Sequence, residues 1–553
     1  MMRNTSPKSE HRRPTPEPKR QQPPAVSLND LPEELIEQIA HYLNNIPPTK
    51  LFELYTANPE PRFLHPFSSV SRKFHRIATP LLYSFYIDTG PRRPAALHQF
   101  VLTILRNPDL AACVRTVVFQ NLGAYEGCSS PYPLRVRWAK GAKAEIIARA
   151  RQIDFGDDGQ ISSRRDWLDR LECEGRDAIT FLLLTQTPNL ETLDLETAGA
   201  ELAGFHHFMT TWMREAHNLQ GVFANLRHVV LGDAANYAGY DHLGEDKEWV
   251  FLLPPLRTLE LCDKFLGSRI RYEYMNRPWS IETLIIRAEI MTPLYWKLLV
   301  GSCKEIKHLV YRLHDQSWNN GGMTTDDMYD VLLAHRDHLE TLVLDTPLLS
   351  IHARYILPIG SFRDFRRLRH LSISGIILLY DLDLDLDLGL DLVLKSSPLG
   401  YDRRPLRSDS ALVLVAHGRS LCQDFFPQSL QTLCVDLTSL YSDMVTLVCH
   451  VTTDIYKGRS DGWLRDLRSV QFTVSYKTWN SKDLFEKLCK AGIQMMQSGI
   501  DEYMIHVVPR NADDMKAGKV SSYSLGKDGE FMAAGQTDHS NFQNSNFSVN
   551  DGL

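Results

Sequence analysis

One apolar motif, L-x-x-L-x-L, recurs along most of this sequence and limits the folds that the chain can adopt. Strict copies begin at Leu190, Leu256 and Leu339. Looser copies, with other apolar residues at some positions, begin at Val114, Leu226, Ile281, Ile306, Leu368, Leu430 and Leu467. From Leu190 to Leu368 the successive steps are 36, 30, 25, 25, 33 and 29 residues. Recurrence at such a period is typical of repeat architectures, in which each unit buries its apolar face against its neighbours.

The residues inside each motif predict β-strands. Polar residues stand between the apolar positions, as at Thr192, His228 and Thr341, and this period of two indicates strands with one apolar face. Helix-like stretches precede several motifs, at residues 177–186, 295–303 and 328–336. Each unit is therefore predicted to contain a helix, a short loop and a strand, and the stacked strands are predicted to form a parallel sheet.

This pattern resembles that of leucine-rich repeats. The resemblance implies an α/β solenoid with a concave parallel sheet and convex helices. The Asn that this family carries at the ninth motif position is replaced here, for example by Ala198 and Ala234, so the implied solenoid is irregular. A large α/β domain with ordinary parallel strands is the alternative.

The region 27–88 begins with signals for an amphipathic helix. Asp30 is a candidate N-cap, Pro32 falls in the first turn, and Glu33 completes a capping box. Apolar residues then recur at helical spacing: Leu31, Leu35, Ile36, Ile39, Tyr42 and Leu43. A second helix is predicted within residues 67–83, with Pro80 ending it. Its apolar face contains Phe67, Val70, Phe74, Ile77 and Ala78.

The Leu31-Pro32 opening, the Val70-Ser71-Arg72 turn and Phe74 resemble the F-box family. That family binds a Skp-type adaptor and, through it, a cullin-RING ubiquitin ligase. The resemblance assigns adaptor binding to Leu31, Pro32, Leu35, Ile36, Ile39, Val70 and Phe74. The interval 44–66 contains five prolines and is longer than the middle of a usual F-box, with a short helix predicted at residues 50–55.

Together the two resemblances imply a non-catalytic substrate-recognition subunit of a Skp-cullin-F-box ligase. A protein substrate would bind the outward strand residues of the concave face. Those residues are Thr192, Asp194, His228, Thr258, Glu260, His308, His370 and Gln471. A leucine-rich-repeat interaction scaffold without a ligase role is the alternative.

Composition limits the partners and the compartment. The chain of 553 residues has a net charge of -6, which gives no electrostatic drive towards nucleic acid or an anionic membrane. No apolar run approaches the ~20 residues of a membrane span. The nine cysteines form no C-x-x-C pair, so neither a disulfide framework nor a zinc site is indicated. We therefore expect a cytoplasmic or nuclear protein that binds neither nucleic acid nor membrane.

The sequence indicates no motif for catalysis, metal binding or cofactor binding. The sequence lacks a P-loop, G-x-S-x-G, H-E-x-x-H and a dinucleotide-binding glycine pattern, so no enzymatic activity and no cofactor are expected. His206, His207 and His217 lack a partner at metal spacing and are interpreted as surface or satisfied core residues. The Asp-Leu run 381–392 fails the EF-hand pattern and is interpreted as a low-complexity edge strand or loose loop.

These features divide the chain into four regions. Residues 1–26, rich in proline and basic residues, are expected to be a disordered tail. The F-box-like region spans 27–88 and the degenerate repeats span 89–509, with insertions at 121–177 and 376–426. A helix is predicted at residues 142–151 of the first insertion. Residues 510–553 are expected to form a flexible polar tail.

Overall fold

A computed structural model describes the protein in segments. The described residues are 28–44, 64–88, 94–119, 141–153, 161–173, 175–195, 203–215, 223–232, 249–253, 255–266, 278–313, 325–345, 359–374, 421–436, 451, 455, 457–458, 461–475, 494–497, 502–507, 523–525 and 531–533. The expected N-terminal tail, the helix predicted at 50–55, the Asp-Leu run and His217 lie outside these residues. Within the described part of the chain, no helix is both long and apolar enough to cross a membrane.

Thirteen strands of the described segments form one open sheet in the order β1 to β11, then β13 and β12. The strands are β1 (Phe85–Asp88), β2 (Thr116–Phe119), β3 (Thr192–Leu195), β4 (His228–Gly232), β5 (Thr258–Leu266), β6 (Thr283–Met291), β7 (His308–Leu313), β8 (Thr341–Asp345), β9 (His370–Ser374), β10 (Thr432–Asp436), β11 (Ser469–Ser475), β12 (Gln494–Gln497) and β13 (Glu502–Val507). The first eleven are parallel neighbours, whereas β13 pairs antiparallel with β11 and β12. The predicted mixed α/β fold with a parallel sheet is therefore confirmed.

All ten apolar motifs form strands of this sheet, β2 to β11. The motif pattern did not predict β1, in which Asp88 occupies the last apolar position of the motif, or the antiparallel strands β12 and β13 at the end of the sheet. Beyond residue 510, where a flexible tail is expected, Tyr523–Leu525 and Phe531–Ala533 form an antiparallel pair, β14 and β15. The ten strands were predicted correctly because the alternation of apolar and polar residues within each motif can be recognised from local sequence alone.

Helices precede many of the strands. They are α1 (Glu33–Asn44), α2 (Leu64–Ser68), α3 (Arg72–Tyr83), α4 (Pro94–Arg106), α5 (Pro108–Ala111), α6 (Ala142–Ala150), α7 (Ile161–Glu172), α8 (Arg176–Thr185), α9 (Ala203–Glu215), α10 (Pro293–Gly301), α11 (Thr325–Leu332) and α12 (Leu421–Asp424). The helices predicted from sequence at 142–151, 177–186, 295–303 and 328–336 correspond to α6, α8, α10 and α11. At α10 the start is set by Thr292, whose side-chain oxygen accepts a hydrogen bond from the backbone N–H of Tyr295.

The main core lies on one face of the sheet, here called the helix face. Two rows of side chains from β2 to β11 point to it, and none of them is more than 5 % exposed. The rows are Val117, Leu193, Val229, Leu259, Leu284, Leu309, Leu342, Leu371, Leu433 and Val470, and Phe119, Leu195, Leu231, Leu261, Ile286, Tyr311, Leu344, Ile373, Val435 and Phe472. The helices pack against these rows; for example, the rings of Trp296 in α10 and Tyr311 in β7 lie 5.2 Å apart.

The helices α1, α2 and α3 pack on one another around a second, smaller core. Ala40, Leu64 and Ala78 are fully buried there, and the rings of Phe67 and Phe74 lie 4.6 Å apart. The ammonium group of Lys73 donates a hydrogen bond of 2.7 Å to the carbonyl oxygen of Leu31, which ties α3 to the chain that precedes α1. The helix predicted from the Leu31-Pro32 opening and the one predicted within residues 67–83 are therefore in contact.

The predicted helix at 67–83 differs from the structure in two ways. Ser71 divides it, because its side chain caps α3 by accepting a hydrogen bond from the backbone N–H of Phe74. Pro80 does not end α3, which continues to Tyr83. Leu81 and Leu82 pack against the small core and Tyr83 against the main core, and this burial offsets the hydrogen bond that proline cannot donate.

A buried ion pair joins the start of the sheet to the helices. The guanidinium group of Arg176, in α8, donates hydrogen bonds of 2.7 and 3.0 Å to one carboxylate oxygen of Asp88, at the end of β1. Both side chains are less than a tenth exposed. Because β1 follows directly after α3, this pair fixes the place where the N-terminal helices meet the sheet.

Candidate functional site

The face of the sheet turned away from the described helices, here called the far face, carries three rows of side chains. The first row contains the residue that begins each strand from β2 to β11. Its members are Thr116, Thr192, His228, Thr258, Thr283, His308, Thr341, His370, Thr432 and Ser469, each in register with the next. A continuous stripe of hydroxyl and imidazole groups therefore crosses ten strands.

Hydrogen bonds link members of this first row. Nδ1 of His308 lies 3.0 Å from the hydroxyl oxygen of Thr341, and Nδ1 of His370 lies 2.7 Å from that of Thr432. Burial lowers the pKa values of His228, His308 and His370 below the ordinary range, so these imidazoles are uncharged near neutral pH. The row therefore offers neutral donors and acceptors along its length.

The second row lies two residues further along each strand, and its members are half-buried or buried. It contains Val118, Asp194, Val230, Glu260, Ile285, Val310, Val343, Ser372, Cys434 and Gln471. In its centre Val230, Glu260, Val310 and Val343 are buried. Glu260, predicted as an outward substrate-binding residue, lies on the far face but is buried, and its carboxylate is held 2.6 Å from the guanidinium group of Arg287.

The third row lies two residues beyond the second row and contains three charged residues. It contains Gly232, Cys262, Arg287, Arg312 and Asp345, one from each strand from β4 to β8. Arg287 pairs with Glu260 of the second row, and Nε of Arg312 lies 3.9 Å from a carboxylate oxygen of Asp345. Two arginines thus stand directly opposite each other on β6 and β7.

Charged side chains also line the amino ends of the strands, one residue before the first row. Glu282 lies between two cations there: its carboxylate oxygens are 3.1 Å from the guanidinium group of Arg257 and 2.6 Å from the ammonium group of Lys307. The hydrogen bond from Lys307 is the main reason that the pKa of Glu282 lies below its ordinary value. These partly exposed pairs contribute little stability each and mainly satisfy one another.

The N-terminal helical region exposes four large apolar side chains, here called the N-terminal stripe. Leu28, Leu35 and Tyr42 stand seven residues apart and are 58, 44 and 72 % exposed, and Val70 is 53 % exposed. Residues seven apart on a helix lie on the same side, so the side chains of Leu35 and Tyr42 share one face of α1. Isolated exposed apolar residues are common, but a set of large ones on one helical unit is a candidate contact surface.

The predicted adaptor-binding residues divide into two groups. Leu35, Pro32 and Val70 are exposed, and Leu31 and Ile39 are partly exposed. Ile36 and Phe74 are at most 1 % exposed. These last two hold the small helical core together and present no surface to a partner in this structure.

The predicted substrate-binding residues share the far face but do not form one compact group. Five of them, Thr192, His228, Thr258, His308 and His370, belong to the first row, and Asp194, Glu260 and Gln471 belong to the second. From β3 to β11 they span about 40 Å, given a strand spacing of ~4.8 Å. They therefore mark a long surface, on which a partner would contact several strands.

Sequence reasoning missed the third row. A signal was available, because Cys262, Arg287, Arg312 and Asp345 each follow directly after the last apolar position of their motif. Extending the alternation by one residue would have placed all four on the same face as the first row. Their pairing in register could come only from the sheet.

The described residues contain few groups suited to catalysis or metal binding. No cluster of three or more His, Cys, Asp or Glu side chains among them could hold a metal ion. His206 is buried and accepts a hydrogen bond of 3.2 Å from the indole N–H of Trp249, which agrees with a satisfied core residue. Burial raises the pKa of the Cys303 thiol, so this cysteine is a poor nucleophile. Comparison with family models and with curated proteins finds no match to this chain.

Proposed function

We propose that this protein is a non-catalytic substrate receptor of a cullin-RING ubiquitin ligase. In this proposal the N-terminal helices bind a Skp-type adaptor and the far face of the sheet binds a protein substrate. Its mechanism is proximity: holding the substrate beside the charged E2 raises the effective concentration of a lysine without chemistry by this chain. The observation that carries the proposal is the N-terminal stripe, on helices that carry the F-box-like motif.

The exposure of the stripe supports a macromolecular contact. Fully burying a large apolar side chain is worth about 1.5 to 3 kcal/mol, and each of the four members of the stripe is roughly half exposed or more. Covering all four would therefore contribute about 4 kcal/mol before the costs of association. A helix with one exposed apolar face fits an adaptor that supplies complementary apolar helices.

The form of the sheet supports the repeat part of the proposal. Eleven parallel strands follow one another in chain order, and each pairs with the next from the same motif position. We infer an irregular leucine-rich-repeat solenoid, with its concave side at the far face. The partial or full burial of the side chains in the first and second rows is consistent with a face that curves inward, because neighbouring side chains then shield one another.

Co-purification tests the adaptor role. The full chain is expressed with a Skp-type adaptor, and the variants Leu35→Asp and Val70→Asp are compared with the natural chain. Both residues are exposed, so the substitutions are expected to leave the helical core folded while placing a charge in the apolar contact. We expect each variant to retain the adaptor at least about tenfold less well, which corresponds to about 1.4 kcal/mol.

Leu294 provides the matched control. It is 50 % exposed on α10, far along the chain from the N-terminal stripe, so Leu294→Asp should retain the adaptor like the natural chain. Equal retention of the adaptor by Leu35→Asp, Val70→Asp and the control would refute the proposed contact. Substrate lifetime in cells, with and without residues 27–88, then separates a ligase receptor from a scaffold that binds the adaptor without driving ubiquitination.

A further inference from the structure

We propose that Lys73 is a positioning residue for the N-terminal stripe. The inference rests on the proposed adaptor-binding role of the stripe and adds a residue that is not itself part of it. Lys73, in α3, holds the short 3-10 helix Leu28–Asp30, so that the side chain of Leu28 is already in place when the adaptor binds.

The 3-10 helix Leu28–Asp30 has no buried side chain to hold it. All three of its residues are exposed, and Leu31, which follows, is only partly buried. Leu28 itself is 58 % exposed. A terminal segment with so little apolar contact opens easily unless its backbone is tied to the rest of the protein. The position of Leu28 therefore depends on polar contacts.

Lys73 supplies two such contacts. Its ammonium group donates hydrogen bonds to the carbonyl oxygen of Leu31, at 2.7 Å, and to that of Asn29, at 3.4 Å. None of the described backbone amides donates to the Leu31 carbonyl, so Lys73 is its donor within the described part of the chain. The N–H of Leu31 in turn donates to the carbonyl oxygen of Leu28 at 3.3 Å. A path of hydrogen bonds thus runs from α3 through Leu31 to Leu28.

The neighbouring charges indicate that Lys73 is the stronger of two links between α3 and the start of α1. The second link is the ion pair of Arg76 with Glu33, but both of its side chains are more than half exposed, so it contributes little stability. The 2.7 Å hydrogen bond from Lys73 is partly buried, and a charged donor makes a stronger hydrogen bond than a neutral one. A cation near a helix N-terminus is unfavourable, but Glu33 and Glu34 in the first turn of α1 offset this effect.

Preorganisation explains how Lys73 would assist the adaptor without contacting it. A segment that must be ordered during binding weakens the association, whereas one that is already ordered does not. Pro32 acts in the same direction, because it restricts the backbone of Leu31. We therefore expect the loss of Lys73 to weaken adaptor binding only as long as Leu28 contributes to the contact.

Adaptor retention by the full chain tests this inference. Lys73→Met removes the ammonium group but keeps an apolar side chain of similar length, and should retain the adaptor about three- to tenfold less well. Lys73→Arg keeps a charged donor and should restore most of the retention. Lys297→Met is the matched control, because Lys297 is exposed on α10 and should not affect the adaptor. In a Leu28→Ala chain, Lys73→Met should cause less than about a twofold further loss, because the residue that it positions is gone.

Amide hydrogen exchange in the free protein gives a readout that does not depend on the adaptor. In Lys73→Met the amide of Leu31 should exchange at least about tenfold faster, because the backbone that carries it is no longer held. The amide of Ile36, which donates to the carbonyl oxygen of Pro32 at 3.2 Å, should keep its natural rate. Faster exchange of both amides would show a general structural role of Lys73 and would overturn the inference, as would an unchanged rate at Leu31.

Three results of the retention experiment would also contradict it. These are equal retention by Lys73→Met and Lys297→Met, no recovery in Lys73→Arg, and the same loss from Lys73→Met in the natural and Leu28→Ala chains. Failure of the proposed function is distinguishable from these results. Full retention by Leu35→Asp and Val70→Asp would refute the adaptor contact itself, whereas their loss of the adaptor with full retention by Lys73→Met would refute only the positioning role.

Discussion

His98 should make the protein less stable as the pH falls from 7 to 5. This residue lies in α4 and is only 2 % exposed. Burial lowers the pKa of its imidazole from 6.5 to about 4, because the charged form would lose its hydration. The folded state therefore resists protonation over a pH range in which the unfolded chain accepts a proton readily.

The sign and size follow from the two pKa values. Above pH 6.5 His98 is neutral in both states and contributes no pH dependence. Below that value the unfolded chain binds the proton first, so the free energy of unfolding falls until the pH passes about 4. Each pH unit in this range removes about 1.36 kcal/mol, which gives a loss of about 2 kcal/mol at pH 5 and about 3 kcal/mol at pH 4.

Urea unfolding at pH 7 and pH 5 measures this effect. The variant His98→Leu keeps an apolar side chain in the core and removes the titrating group, so its loss of unfolding free energy between the two pH values should be about 2 kcal/mol smaller than in the natural chain. His207→Gln, an exposed position in α9, is the control and should preserve the natural pH dependence. Other buried histidines act in the same direction, so the comparison between variants isolates His98. An identical pH dependence in His98→Leu and the natural chain would refute the reasoning.

The Asp88 and Arg176 ion pair and the helix-face core give two further predictions. Arg176→Met or Asp88→Leu alone should lower the free energy of unfolding by about 3 to 5 kcal/mol, because each leaves a buried charge without its partner. The double variant should lower it by less than either single variant. Additive effects of the two substitutions in urea unfolding would contradict the pairing. Leu309→Ala should lower the free energy of unfolding by about 2 to 5 kcal/mol, because it opens a cavity in the fully buried row. Leu294→Ala, at a half-exposed position on α10, should change it by less than about 0.5 kcal/mol. Equal changes in the unfolding temperature of the two variants would show that the row is not tightly packed.

The sequence located the strands because their signal is local. Alternation of apolar and polar residues fixes which side chains share a face, and all ten motifs became strands in which the apolar positions are buried. The same alternation correctly assigned Thr192, His228 and His370 to the opposite face. It also placed helices before several strands, as at α8, α10 and α11. Assignment of the N-terminal helices to an adaptor and of the far face to a substrate stays a prediction.

The tertiary structure alone decided how deeply these residues lie and which of them meet. Glu260 has the position of an outward residue, but strand pairing brings Arg287 beside it and burial removes it from the surface. Asp88 and Arg176 are 88 residues apart in the chain, and no local pattern could pair them. Alternation specifies the direction of a side chain, whereas its depth and its partner depend on strands and helices brought together by folding. Sequence therefore determined which side chains share a face of the sheet, and packing between distant segments determined which of them are buried and which are paired.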